Sequence, residues 1–127
     1  MTTLEQVHSD TAPAAIGPYS QAIKSGSLVF LSGQIPLEPA SMEIVSDDIA
    51  EQTHQVFRNL IAVAEAAGGK LSNAVKLTIY VTDLSDFATV NEVMAEYFSE
   101  PYPARATIQV SALPKGSAVE IDAILSL

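Results

Sequence analysis

The clearest alternation in the chain runs from Ala74 to Val81, where Val75, Leu77, Ile79 and Val81 take one parity and Ala74, Lys76, Thr78 and Tyr80 the other. Successive strand side chains point to opposite faces of a sheet, so this pattern predicts a half-buried strand. Two more alternating segments close the chain. Ala104, Ala106, Ile108 and Val110 oppose Arg105, Thr107 and Gln109, and Val119, Ile121, Ala123 and Leu125 oppose Glu120, Asp122 and Ile124. The apolar run Ser27 to Leu31, bounded by Gly26 and Gly33, reads as a buried strand whose partner is Ser20 to Lys24 across a Ser25-Gly26 turn.

Elsewhere the period lengthens. Ile49, Thr53, Val56, Phe57, Leu60, Val63, Ala64 and Ala67 recur at helical spacing, with Ser46 as the expected cap, Asp47 and Asp48 in the first turn, and Gly68-Gly69 as the left-handed stop. A second helix is predicted after Asp83 or Ser85, with Phe87, Val90, Met94 and Phe98 along one side and an end before Pro101. The order strands, helix, strand, helix, strands makes an α+β fold, with apolar strand faces packed under two helices. That arrangement puts Thr78, Tyr80, Arg105, Thr107, Gln109, Glu120 and Asp122 on the opposite sheet face. Either another subunit or solvent covers that face.

Length and composition narrow the picture further. The 127 residues suit a single domain spanning 1–127, and 48% hydrophobic residues are too many for a disordered chain. Six Lys and Arg against 15 Asp and Glu give a net charge of −9, which repels a phosphate backbone, so no nucleic-acid partner is expected. No apolar run approaches the roughly 20 residues that span a bilayer, so no membrane association is expected either. Residues Met1 to Asp10 lack the basic and apolar segments of a signal peptide, and the expected address is cytoplasmic. The absence of cysteine removes disulfides, thiolate nucleophiles and Cys-ligated metals from consideration.

Arginine occurs twice. Arg58 lies on the outward side of the first helix, an ordinary solvated position, whereas Arg105 sits in a strand among Pro103, Ala104, Ala106 and Thr107 with no acid beside it in sequence. Its planar fork suits a carboxylate ligand, and an intramolecular ion pair with an acid of the sheet is the competing reading. Glu120 lies between Val119 and Ile121 on a strand expected beside that of Arg105. A desolvated carboxylate there either activates a water or serves as the salt-bridge partner of Arg105. Asn91 shares the predicted inward stripe of the second helix with Phe87 and Met94, where its amide needs internal partners and a structural tie is favoured over catalysis. His8 and His54 fall in no metal-ligand spacing, and Gly68-Gly69-Lys70 ends a helix instead of opening one, so neither a metal site nor a phosphate loop is expected.

Four ordered blocks resemble the reactive intermediate deaminase A (RidA/YjgF) family. They are Ile16-Gly17-Pro18-Tyr19-Ser20-Gln21-Ala22, Phe30-Leu31-Ser32-Gly33-Gln34-Ile35-Pro36, Tyr80-Val81-Thr82-Asp83 leading to Val90-Asn91, and Pro103-Ala104-Arg105-Ala106-Thr107-Ile108 followed by Val119-Glu120-Ile121. The resemblance implies a subunit of the chorismate-mutase-like type, a mixed sheet with two helices on one face, assembled as a homotrimer with clefts at the subunit boundaries. It implies hydrolysis of 2-imino acids and their enamine tautomers to 2-oxo acids and ammonia, without metal or organic cofactor. Arg105 would grip the substrate carboxylate and Glu120 would position water. Tyr19, Ser32 and Gly33 would line the cleft, and Asn91 would support its shape. Thr107 stands where many members have cysteine; it would keep the backbone carbonyl beside the substrate nitrogen but removes any thiol chemistry. Two other function classes follow: a ribonuclease, which would need a basic patch, and a non-catalytic carboxylate-binding or chaperone-like trimer, which would keep Arg105 but not need Glu120.

Overall fold

In the computed structural model, which describes residues 3–127, the strand foreseen between Ala74 and Val81 forms over those residues and serves as a reference for both faces of the sheet. Leu77, Ile79 and Val81 are buried on one side, and Lys76, Thr78 and Tyr80 stand on the other. Val75 departs from the alternation and is 46% exposed, because the pairing register shifts between Ala74 and Lys76 and turns this residue out of line.

In chain order the elements are β1 (Leu4–Val7), β2 (Ala22–Ser25), β3 (Leu28–Gln34), α1 (Ile49–Ala66), β4 (Ala74–Val81), α2 (Phe87–Ala95), β5 (Ala104–Gln109) and β6 (Val119–Ser126). They make one six-stranded sheet in the order β1-β2-β3-β6-β4-β5. All neighbours are antiparallel except β4 and β5, which run parallel and are joined through α2. This is the mixed α+β arrangement expected from the sequence. β1 was not foreseen there: Leu4, Glu5 and Gln6 are all exposed, so the strand lacks a buried stripe and is held by its ladder to β2.

α1 and α2 cover one face. Val56, Phe57, Leu60, Val63 and Ala64 of α1 and Val90, Val93 and Met94 of α2 meet Val29 and Leu31 of β3, the inward residues of β4, and Val119, Ile121, Ala123 and Leu125 of β6. Each large apolar side chain buried there contributes about 1.5–3 kcal/mol. The cap of α1 is Asp48, whose carboxylate accepts from the Glu51 amide at 2.9 Å, and not Ser46. Ser46 sits two residues earlier, its hydroxyl accepting from the Asp48 amide, and the acid of the first turn is Glu51 instead of Asp47 and Asp48. The helix stops as foreseen: Gly68 has φ 89°, its amide donates to the Glu65 carbonyl, and the Gly69 amide reaches back to Ala64. Before α2, the Asp83 carboxylate accepts from the Ser85 amide and caps a single 3-10 turn that leads into Phe87.

The sequence pattern placed β5 the wrong way round. In the parallel pairing Leu77 lies beside Arg105 and Ile79 beside Thr107, so Arg105, Thr107 and Gln109 share the helix-covered face. Ala104, Ala106 and Ile108 stand on the open one. The side chains agree, since Arg105 reaches α2 and the side-chain oxygen Oε1 of Gln109 accepts from the Leu84 amide. With small residues at an edge and burial that does not alternate, β5 carries too little hydrophobic contrast to declare its own orientation.

Candidate active site

Arg105 and Glu120 do not meet within one subunit. β4 lies between their strands, so β6 is not beside β5 as the sequence suggested. Glu120 pairs with Tyr80 on the open face, whereas Arg105 pairs with Leu77 on the helix face. The intramolecular ion pair is thereby overturned. Among the described residues the basic side chains that lie within 4 Å of a carboxylate are His8, beside Asp10, and His54, beside Glu96, and Arg105 is not one of them.

The Arg105 guanidinium instead leans on α2. Its Nη1 donates to Asn91 Oδ1 at 2.6 Å and lies 3.6 Å from the Met94 sulfur, and its carbon sits 5.2 Å from the centre of the Phe87 ring. Asn91 is exposed, so the sequence reading of an inward, internally satisfied amide is corrected: the arginine is its partner. Asn91, Met94, Ala95, Tyr102, Pro103 and Arg105 border a cavity of about 480 Å³. Thr107, two residues along the same face, has a buried hydroxyl with no hydrogen-bond partner in the subunit.

Glu120 lies in a second cavity, also of about 480 Å³, whose lining includes Ile16, Tyr19, Ser32, Gly33, Met42 and Lys115. Tyr19, Ser32 and Gly33, which the resemblance would place in the cleft, line this cavity with Glu120, whereas Arg105 borders the other one. Ser32 donates its hydroxyl to the Ser20 carbonyl at 2.6 Å, which ties β3 to the segment that carries Tyr19. A bulge makes room for the carboxylate. Between Leu31 and Gln34 β3 advances three residues while β6 advances two, and a side chain on Gly33 would run into Glu120 Oε2. Half-burial pushes the Glu120 carboxyl above its ordinary range, and the nearby Asp122 charge adds to the effect. Asp122 in turn accepts from the Tyr80 hydroxyl at 3.1 Å. Burial, followed by that hydrogen bond and the two carboxylates, raises the Tyr80 phenol as well.

At the rim, Lys115 donates its ammonium to the Met42 carbonyl at 2.7 Å. Both residues adopt positive φ, 57° and 60°, an unusual backbone state for side chains of this kind. The sequence reading did not foresee this latch, nor the Tyr80–Asp122 pair. The histidines are engaged elsewhere: His8 with Asp10, and His54 with Tyr97 at 2.8 Å.

The arrangement sets a guanidinium with no paired acid among the described residues at one cavity and a carboxylate of raised basicity at another. Residues 9–126 match the family described as Endoribonuclease L-PSP. Protein DfrA of Myxococcus xanthus is 59% identical over 120 residues, covering 93% of this chain and 92% of its own. Human 2-iminobutanoate/2-iminopropanoate deaminase is 47% identical over 113 residues, covering 89% and 82%. The crystal structure of RidA from an Antarctic Psychrobacter superposes with a TM-score of 0.93 at 51% identity, covering 97% of this chain and 99% of that one. With the fold, the motif positions and these relatives in agreement, the chain belongs to the endoribonuclease L-PSP family, the family of the reactive intermediate deaminases.

Proposed function

We propose that this protein hydrolyses 2-imino acids and their enamine tautomers, such as 2-aminoacrylate, 2-iminopropanoate and 2-iminobutanoate, to 2-oxo acids and ammonia. The observation that carries the reading is the Arg105 guanidinium, which borders a cavity with no acid of the described residues paired to it. A cation in that state suits a carboxylate, the one group common to the whole substrate class.

Because Arg105 and Glu120 occupy opposite faces of the sheet, they act together only where two copies meet. We therefore assign the site to the boundary between subunits of a homotrimer, Arg105 coming from one copy and Glu120 from the next. Support comes from the open sheet face, where Ile23 and Ile124 pair with Phe30, and Leu28, Phe30 and Ile108 are exposed. Apolar side chains in such number call for a cover.

The chemistry follows from the groups. Arg105 holds the carboxylate by two N–H donors. Glu120, its basicity raised by burial, takes a proton from a water whose oxygen attacks the imine carbon, while the imine nitrogen gains a proton. The tetrahedral carbinolamine then expels ammonia as the hydroxyl oxygen becomes the carbonyl and surrenders its proton. The Thr107 carbonyl, by family resemblance, faces the departing nitrogen. Each step is an addition, an elimination or a proton transfer.

The test couples an enzyme that releases 2-aminoacrylate to this protein and follows pyruvate formation. Acceleration over the spontaneous rate supports the proposal. Tight binding of a 2-oxo acid with no acceleration would leave a carboxylate-binding module instead.

A further inference from the structure

Arginines at protein surfaces are commonly neutralised by a neighbouring carboxylate, and what surrounds Arg105 is different in kind. Phe87, Asn91 and Met94 stand at i, i+4 and i+7 on α2, one stripe of the helix. They present a ring face, an amide oxygen and a thioether sulfur to the guanidinium. All three are electron-rich and none carries a net charge. Asn91 and Met94 engage Nη1, Phe87 lies against the guanidinium carbon, and Nη2 and Nε have no hydrogen-bond partner among the described residues. The acids of the same helix segment are turned elsewhere: Glu96 lies 3.7 Å from His54, and Glu92, one residue from Asn91, is off the stripe.

We propose that this stripe is an uncharged cradle, in which Phe87 and Asn91 are positioning residues that aim the Arg105 fork while leaving its full positive charge for an incoming carboxylate. The inference rests on the reading of Arg105 as the substrate anchor. It goes further in saying that the chemical neutrality of position 91 sets the affinity, beyond the shape of the residue there. An aspartate at 91 would have nearly the same size and would still receive the Nη1 hydrogen bond. It would also supply the counter-charge that the site lacks, and the ligand carboxylate would then have to compete with it.

The experiment compares Asn91→Asp, Asn91→Ala, Phe87→Leu and Arg105→Ala with the wild type, using 2-oxobutanoate as the probe, calorimetry for affinity and thermal unfolding as a check on folding. Asn91 is exposed, so all position-91 variants are expected to fold. Asn91→Asp should weaken 2-oxobutanoate by about tenfold or more, and by more than Asn91→Ala. Phe87→Leu should weaken it by about two- to fivefold through loss of the ring face. A role in packing alone gives the reverse order, with the near-isosteric aspartate close to wild type and alanine worse, and that order overturns the cradle. If Arg105→Ala loses binding while Asn91→Asp keeps it, the cradle falls and the anchor stands. If Arg105→Ala binds like wild type, the anchor falls and the cradle with it.

Discussion

Lysine at position 105 would keep a positive charge and lose the planar pair of donors, so Arg105→Lys separates charge from geometry. Its kcat/KM for imine hydrolysis should fall by about a hundredfold, with a parallel loss of 2-oxobutanoate affinity. Near-normal turnover would remove Arg105 from the site. Glu120 allows a test that needs no substrate. Burial holds its carboxyl above the ordinary value in the folded chain, so the folded state retains a proton that the unfolded state has released. The stability associated with that proton is present below the unfolded pKa and is lost as pH rises through the folded one. Glu120→Gln carries no such ionisation. In urea titrations the variant should match wild type near pH 4 and surpass it near pH 7, while its catalytic rate falls by about 10²- to 10⁴-fold. A variant less stable than wild type at neutral pH would mean that the charge is compensated in the fold.

The bulge in β3 controls whether that carboxylate can occupy its place. Gly33→Ala leaves the backbone conformation accessible, since Gly33 is not among the positive-φ residues, but its methyl would strike the Glu120 carboxylate. Turnover should drop sharply while urea midpoints shift little, and unchanged kinetics would show that the carboxylate has another place to go. The same strands show what was legible from sequence. β4 and β6 declared themselves because each faces a core on one side only, so Leu77, Ile79 and Val81, like Val119, Ile121, Ala123 and Leu125, mark a face without ambiguity. β5 did not: Ala104, Ala106 and Thr107 are small, and its orientation comes from the parallel register with β4, a long-range property. Once β5 turns over, Arg105 moves to the side of α2, and Phe87, Asn91 and Met94, whose spacing was readable all along, acquire a common partner. Tyr19, Ser32, Gly33 and Glu120 line one cavity, and the family motifs alone had named them together; periodicity gave no reason to join them.

At the scale of the whole molecule, charge and surface point in different directions. A net charge of −9 disfavours polyanions, which argues against the nuclease activity in the family's description, yet leaves one guanidinium open to a small carboxylate. Among the described residues no helix is long and apolar enough to cross a membrane, and in the proposed trimer further copies of the chain would cover the exposed apolar side chains of the sheet. Light scattering at micromolar concentration should give about three times the subunit mass, and a monomer would sink both the assembly and the shared site. The placement of Arg105 and Glu120 on opposite faces has a genetic counterpart. If every site borrows its two halves from different copies, two dead proteins can repair each other. Arg105→Lys and Glu120→Gln chains, unfolded together in equal amounts and refolded, should form mixed trimers in which about one quarter of the sites combine an intact Arg105 with an intact Glu120. Activity should return to about that fraction of wild type, although neither variant alone exceeds its own residue of activity. Were both groups drawn from the same copy, mixing would restore nothing.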